Sequence, residues 1–562
     1  MNKWVKKYFT EPFKSEYGKD LSFDFNKMYW RLRPLADGHY NISFPWGHYT
    51  NAKNIYQLIC LSAIILFIAS LNYVLLAVSN AAARLQEVGV RKVMGANRKS
   101  IIIQFWVETQ LIVLIAVAVG LFLSKLFLPL FNHLLDTNFT LKNFSWSEII
   151  VALTILAFVL GILAGYYPAL FISKTKAITT MKSFQTFKVN PRLSKILVVI
   201  QYTACVVLLI STFVITRQMQ FISNKNLGFD KEQVLMVKNP SYDIRFAKNA
   251  HDRLRAFAES QPSISFFSTM TANLTGALNS SGFKIDGEQK RFRYLNVDYN
   301  YFELLGLKFV SGRSFSENMA TDTSSNTKVS VVNETLFKML GKNAKVGEFN
   351  EGLESTIIGV VKDYHFESLS KKIEPQMHRL NNKYPGYFMF KIKGGNMRKE
   401  IDAIHTAWKK ITNNYPFQYT FLDQDIKQMY EPEMRWQKII ESSGFFAILI
   451  ACMGLFGLSA INASNRKKEI SIRKILGANI KDILASLSKS FIVMVVIAIC
   501  IATPLAWWLM NKWLDDFAYR IDMSWWIFAT AGSFALCIAL LTVSFQAIKA
   551  ALMNPVKNLR ME

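Results

Sequence analysis

The sequence predicts a polytopic α-helical membrane protein, about seven transmembrane helices in two repeats, with an extracytoplasmic α+β domain. Three observations carry this reading: long apolar stretches almost free of charge, alternation of Lys and Arg between the short connections, and one phrase that occurs twice. Of 562 residues, 51% are apolar and only 19% are charged, against about 25% charged in an ordinary soluble domain. Five cysteines, at 60, 205, 452, 500 and 537, all lie inside apolar runs and form no C-x-x-C pair. They read as small buried hydrophobes rather than as metal or redox ligands.

Stretches long enough to cross a hydrocarbon core, about 20 residues, run near Ile55–Ser79, Thr109–Leu130, Ile149–Ile172, Ile196–Thr216, Ile439–Ile461, Phe491–Met510 and Trp525–Ala547. A soluble protein buries one or two such helices, not this many. The connection after the first stretch holds Arg84, Arg91, Lys92, Arg98 and Lys99, and that after the third holds Lys174, Lys176, Lys182, Lys188 and Arg192. After the fifth come Arg466, Lys467, Lys468, Arg473, Lys474 and Lys481. The alternate connections, around 131–148 and 512–524, are poor in Lys and Arg and hold Asp136, Glu148, Asp515, Asp516 and Asp522. Basic short loops stay in the cytoplasm, so much of the net charge of +26 is topology. The partner that this composition implies is the lipid bilayer, and nucleic acid is excluded for want of a basic soluble face.

In chain order, residues 1–50 fall outside the membrane. An external N-terminus ordinarily follows a leader or a span, yet MNKWVKKYFTEPFK contains no apolar leader core. Either a short segment crosses unaided, or an upstream helix is missing and 1–50 is the remnant of a first extracytoplasmic domain. Residues 51–185 form a unit of three spans, 190–217 a span that opens the second repeat, 218–436 the external domain, and 437–562 a second unit of three spans. In the external domain, β-rich runs (Lys328–Asn333, Ser355–Lys362, Tyr387–Lys393, Gln418–Phe421) mix with helical stretches near 245–260 and 397–412. Turn signals at Asp286-Gly287 and Gly394-Gly395 separate them. Asp363, His365 and Glu367 alternate in GVVKDYHFESL as metal ligands on one strand face would, but a solvated loop leaving a buried strand is the expected structure.

Residues 87–97 read EVGVRKVMGAN and residues 469–479 read EISIRKILGAN. Glu87, Arg91, Lys92, Gly95, Ala96 and Asn97 recur as Glu469, Arg473, Lys474, Gly477, Ala478 and Asn479, and AITTMK at 177–182 answers PVKNLR at 555–560. Both copies follow one span and precede two more, which marks a tandem duplication. Read as a short amphipathic helix, the element pairs Glu87 with Arg91 at i,i+4, worth about 0.2–0.5 kcal/mol. Val90, Val93 and Met94 form an apolar stripe. Gly95 then suits a C′ position with positive φ, and Asn97 a cap for the next helix. A basic helix resting on anionic lipid has no need of Glu at matched positions, so duplication favours a docking surface.

This E-[VI]-x-[VI]-R-K-x-x-G-A element between transmembrane helices resembles the signature of the FtsX/MacB-like permeases of ABC transporters. The similarity extends through Tyr167-Pro168-Ala169 and Ser173, and through YFELLGLKFVSGRSF (301–315), GVVKDYHFESL (359–369) and FLDQDIKQMYEPE (421–433). The resemblance implies an N-terminally shortened, duplicated permease, with FtsX-like permease domains at 51–185 and 437–562 and a MacB-like periplasmic core domain at 218–436. It implies a multi-pass protein of the bacterial cell (inner) membrane whose partners are a cytoplasmic ABC ATPase dimer and a periplasmic or envelope protein. Each repeated element is then a coupling helix, with Glu87, Arg91, Lys92, Gly95, Glu469, Arg473, Lys474 and Gly477 facing the ATPase. No cofactor or catalytic site is implied for the chain itself: ATP is bound by the partner, and the sequence has no G-x-x-x-x-G-K-[ST], G-x-S-x-G or H-E-x-x-H. The expected function is to couple ATP hydrolysis by a separate ATPase to movement of external domains that export or extract a substrate. The rival readings are a non-transporting transducer that regulates an envelope enzyme, and an inactive truncated permease.

Overall fold

The computed structural model describes residues 52–135, 138–140, 145–173, 191–274, 279–285, 288–323, 328–341 and 344–552. The proposed remnant at 1–50, the phrases at 177–182 and 555–560, and Asp286-Gly287 lie outside the described residues. The chain divides into two compact units, residues 1–70 and 71–562. Among the described residues, seven helices are long and apolar enough to cross a membrane. They are α1 (Ala52–Val93), α2 (Arg98–Leu135), α3 (Trp146–Ser173) and α4 (Pro191–Asn224), then, after the external domain, α11 (Glu431–Asn465), α13 (Ile480–Leu514) and α14 (Trp525–Ala551).

Small residues decide how closely these helices pack. Val206, Leu209, Ile210 and Val214 of α4 pack on Ala502 and Ala506 of α13 and Ala531 and Ala535 of α14, since short side chains admit close approach in lipid. In the first repeat Gln110 of α2 donates to Ala157 O of α3 over 3.1 Å. A Cβ on Gly161 would come within 1.7 Å of the Gln110 Oε1 atom, so glycine there lets this side chain lie across α3 as it does. The two repeats meet where Asn72 of α1 donates to Ile450 O of α11 over 3.3 Å. A Cβ on Gly454 of α11 would meet Asn72 Oδ1 at 2.7 Å and the Gln201 Nε2 of α4 at 3.2 Å.

The external domain is built on one 11-stranded mixed sheet, ordered β11-β1-β10-β2-β4-β9-β6-β8-β5, with β3 paired to β4 and β7 to β8. The strands are β1 (Val234–Lys238), β2 (Ile264–Met270), β3 (Asn279–Ile285), β4 (Glu288–Val297), β5 (Phe309–Gly312), β6 (Val329–Asn333), β7 (Phe349–Asn350), β8 (Ser355–Val361), β9 (Gln376–Leu380), β10 (Tyr387–Ile392) and β11 (Tyr419–Phe421). Helices α5 (Ile244–Ser260) and α9 (Met397–Ile411) cover β1, β2 and β10 through Leu254, Phe267, Phe388, Phe390 and Trp408. Helix α8 (Glu334–Leu340) covers β4, β6, β8 and β9 through Leu336, Val332, Val360 and Met377. The short helices α6 (Tyr301–Leu304), α7 (Ala320–Thr323) and α10 (Leu422–Met429) fill corners. Strands β2 and β4 share the ladder pair Met270 and Val297, continued by the bonds Thr271 N to Asn296 O and Asp298 N to Thr269 O, each 3.0 Å long.

One hydrophobic core runs through this domain and the membrane helices. Ile215, Met219 and Ile222 of α4 share it with Phe517 and with Tyr301, Phe302, Tyr364, Phe366, Leu369 and Tyr430 of the domain. GVVKDYHFESL leaves the buried strand β8 as a loop, as expected, with Asp363, His365 and Glu367 partly exposed, but its apolar residues are buried in this core instead of solvated. Tyr364 and Leu369 are fully buried and Phe366 is 2% exposed. Tyr519 N donates to Leu369 O over 3.3 Å and Ala518 N to Ser370 O over 3.1 Å, which joins the segment to the connection between α13 and α14. Gln218 of α4, wholly buried, fastens the same connection, donating to Tyr519 O over 2.9 Å and accepting from Ile521 N over 3.0 Å.

The three alternating polar residues turn to three different tasks. Asp363 accepts from Thr335 N at 3.0 Å and Thr335 Oγ1 at 2.7 Å, at the start of α8. His365 stands edge-on to Tyr519, with ring centres 4.5 Å apart. Glu367 pairs with Lys371 at 3.0 Å and Arg293 at 3.8 Å.

Candidate functional site

The duplicated element forms a tight turn at the same end of each repeat. In the second copy it is a separate short helix, α12 (Lys467–Ile475), set off from α11 by a break at Arg466. In the first copy the expected short helix is instead the last turns of α1, which runs unbroken for 42 residues. The residues ahead of each element explain the difference. Ala81-Ala82-Ala83 stands in the first copy where Ala463-Ser464-Asn465 stands in the second. Alanine continues a helix, whereas Ser and Asn side chains compete for backbone hydrogen bonds and favour an end.

Beyond that break the two copies close identically. Ala96 N donates to Arg91 O over 2.9 Å and Gly95 N to Lys92 O over 3.1 Å; Ala478 N donates to Arg473 O over 3.0 Å and Gly477 N to Lys474 O over 3.2 Å. These paired bonds form a Schellman motif, which places glycine at C′. Gly95 and Gly477 both have φ of +92°, as expected from the sequence. Nothing lies within 4 Å of where a Cβ would stand on either, so conformation and not space demands glycine. Asn97 and Asn479 directly precede α2 and α13, and Asn479 N donates to the Asp482 carboxylate over 3.2 Å.

The charged residues of the element are turned onto the repeat that carries them. Glu87 and Arg91 form an ion pair at 2.6 Å, and Glu469 and Arg473 one at 2.7 Å. Arg91 also donates to Gln104 of α2, and Arg473 to Ser486 of α13 over 3.1 Å. Lys92 Nζ donates to Ser173 O over 2.8 Å, and Lys474 Nζ to Ala551 O over 2.8 Å. Partial burial, with Arg98 nearby, lowers the pKa of Lys92. On the inner side Val88 packs with Ile101 and Phe105, and Ile470 with Ile483 and Leu487.

Beside these half-exposed charged pairs, each turn exposes apolar side chains. Val90, Val93 and Met94 are 52%, 62% and 83% exposed, and their counterparts Ile472, Ile475 and Leu476 are 51%, 61% and 79% exposed. Two knobs of matching size and exposure thus stand at the tips of two turns rigidified by the same bonds. Of these six residues, only the first three belong to the stripe noted in the sequence. Their exposure could be inferred only from the fact that a Schellman turn projects the residues just before its glycine.

Residues 59–177 and 442–555 match the model of the FtsX-like permease C-terminal domain, so both turns lie inside a matched region. The macrolide export ATP-binding/permease protein MacB of Escherichia coli is 36% identical over 115 residues, 20% of this chain and 17% of that protein. The protein of the same name from Mannheimia succiniciproducens is 32% identical over 235 residues, 38% of this chain and 34% of its own length. This chain therefore spans between a sixth and a third of these curated relatives. Among solved structures, the periplasmic region of MacB from Actinobacillus actinomycetemcomitans aligns at 17% identity with a TM-score of 0.27, over 37% of this chain and 97% of that one.

Proposed function

We propose, from a chain that is an FtsX/MacB-like permease and so an ABC transporter permease component, that it couples ATP hydrolysis on a separate ATPase to movement of its external domain. One observation carries the proposal: the same turn, ion pair, lysine closure and exposed apolar triplet are built twice, once in each repeat. Two equivalent knobs suit the two subunits of an ATPase dimer, one knob to each. ATP is held by that partner, and the chain supplies no catalytic group and needs no cofactor of its own. Movement entering at the turns leaves at the external domain, which shares its core with α4 and the α13–α14 connection. The work done there is export or extraction of a substrate on the outer face of a bacterial inner membrane.

The test places charge on the knobs. Met94→Glu and Leu476→Glu alter side chains that are 83% and 79% exposed, so folding and membrane insertion are expected to survive. Burying an unpaired charge in an interface costs about 2–5 kcal/mol, which lowers retention of the ATPase by tenfold or more when the chain is purified in mild detergent. Full retention of the ATPase by the double variant would remove the docking role from these turns.

A further inference from the structure

We infer that Lys92 and Lys474 are positioning residues, which tie each turn to the last helix of its own repeat, and are not contacts to the ATPase. This rests on the coupling role proposed above for the turns. Lys92 reaches the carbonyl of Ser173 over 2.8 Å and Lys474 that of Ala551 over 2.8 Å. Ser173 is the last described residue of α3, and Ala551 is the final residue of α14, with Leu552 as its cap. They are 2% and 1% exposed. The last carbonyls of a helix have no donor within it and carry the negative end of its dipole. An ammonium group satisfies both, and it does so at the equivalent place in both repeats.

The surrounding sequences share little. Ser173 ends ALFIS, and Ala551 ends AIKAA. The separations along the chain also differ, 81 residues for the first closure and 77 for the second. What recurs is the closure itself, which a surface lysine awaiting a partner would not reproduce. In the first repeat Arg98 Nε adds a bond to Ser173 Oγ over 3.3 Å.

Each turn is thereby bonded to both remaining helices of its repeat. Arg91 and Lys92 hold α2 and α3, and Arg473 and Lys474 hold α13 and α14. A push on an exposed tip then displaces two helices together instead of bending one turn. In the second repeat α14 follows directly on the connection that is bonded to the external domain, so the lysine stands on the path from turn to domain.

Hydrogen exchange on the full chain in lipid nanodiscs tests the inference through residues 164–173 and 543–551. Lys92→Met should lower amide protection at the end of α3 and leave α14 unchanged, and Lys474→Met the reverse. Loss of a charge-assisted hydrogen bond predicts a fall of about tenfold or more. Lys→Arg, which still donates to terminal carbonyls, should keep protection near wild type. The ABC ATPase that co-purifies with the wild-type chain should remain bound to each Lys→Met chain. Unchanged protection at the helix of the same repeat overturns the inference whatever the ATPase does. So does loss of the ATPase from either Lys→Met chain, because the lysine is then a contact. If the wild-type chain itself retains no ATPase, the coupling role falls, while the exchange pattern still decides whether the lysines hold the helices.

Discussion

Lys92 and Lys474 close their turns over the same distance, but the external connections of the same two repeats are secured in different ways. In the first repeat Asn132 holds Phe139 in both directions, donating to its carbonyl over 2.9 Å and accepting from its N–H over 3.1 Å, so the connection is fastened to the helix that precedes it. In the second repeat Gln218, Leu369 and Ser370 hold residues 518–521, so the connection is fastened to α4 and to the external domain. Among the described residues the two turns are alike, whereas the bonds of the two external connections differ.

The largest expected effect breaks that output joint. Gln218→Leu removes the partner of Tyr519 O and Ile521 N–H, which belong to half-buried residues, at up to about 1–3 kcal/mol for each group. Exchange of the amides at 515–521 should accelerate together with those at 364–371, because the two segments are bonded to each other. Acceleration confined to 515–521 would show that the joint is not one unit and would weaken the contrast between the repeats.

Next in size is a substitution that should act equally on both repeats. Gly95→Ala and Gly477→Ala each force a side chain into φ of +92° without a steric clash, which costs about 1–2 kcal/mol. Each should fray its own turn to the same extent, measured as exchange at 92–96 and 474–478. A markedly unequal loss would mean that the two input ends differ despite their shared geometry.

A smaller and reversible effect separates the output ends by pH. Burial, and then Lys225 nearby, lower the pKa of His365 below its ordinary 6.5. The unfolded chain therefore takes up the proton first as pH falls. Stability from a neutral His365 is complete above about 6.5 and is lost as pH drops toward the lower folded value. The joint at Tyr519 should loosen on acidification, and His365→Phe should remove that dependence while the first repeat stays indifferent. The same exchange measurement at pH 7.5 and 5.5 decides it; equal acid response in wild type and His365→Phe would assign the titration elsewhere.

Much of the membrane half is legible from sequence because its causes are local. Apolar windows mark spans, the repeat marks the turns, and glycine after an apolar stripe marks a C′ residue. The lysine closures are not legible, because their acceptors are backbone carbonyls 81 and 77 residues away, which carry no side-chain signature. Gln218 pairs with residues about 300 positions distant, which no periodicity records. The burial of the apolar residues of GVVKDYHFESL is missed for a similar reason. Alternation of polar and apolar residues looks the same whether the polar side meets water or another segment, and Tyr519 supplies that segment.

The smallest expected effect concerns the pair that looks most functional in sequence. Glu87 and Glu469 stand at matched positions, yet each carboxylate is about half exposed, 52% and 45%, and lies against its own arginine. An exposed i,i+4 pair contributes about 0.2–0.5 kcal/mol, and the arginines keep Gln104 and Ser486 as further partners. Glu87→Gln and Glu469→Gln should therefore leave folding unchanged and reduce ATPase retention far less than Glu placed at Met94 or Leu476. Co-purification of all four single variants side by side orders them. If the Gln variants lose the ATPase as fully as the charged-tip variants, the carboxylates themselves are contacts and the apolar knobs are not the main docking surface. If only one Gln variant does so, the two seats are unequal, and the asymmetry seen at the external ends extends to the cytoplasmic ends as well.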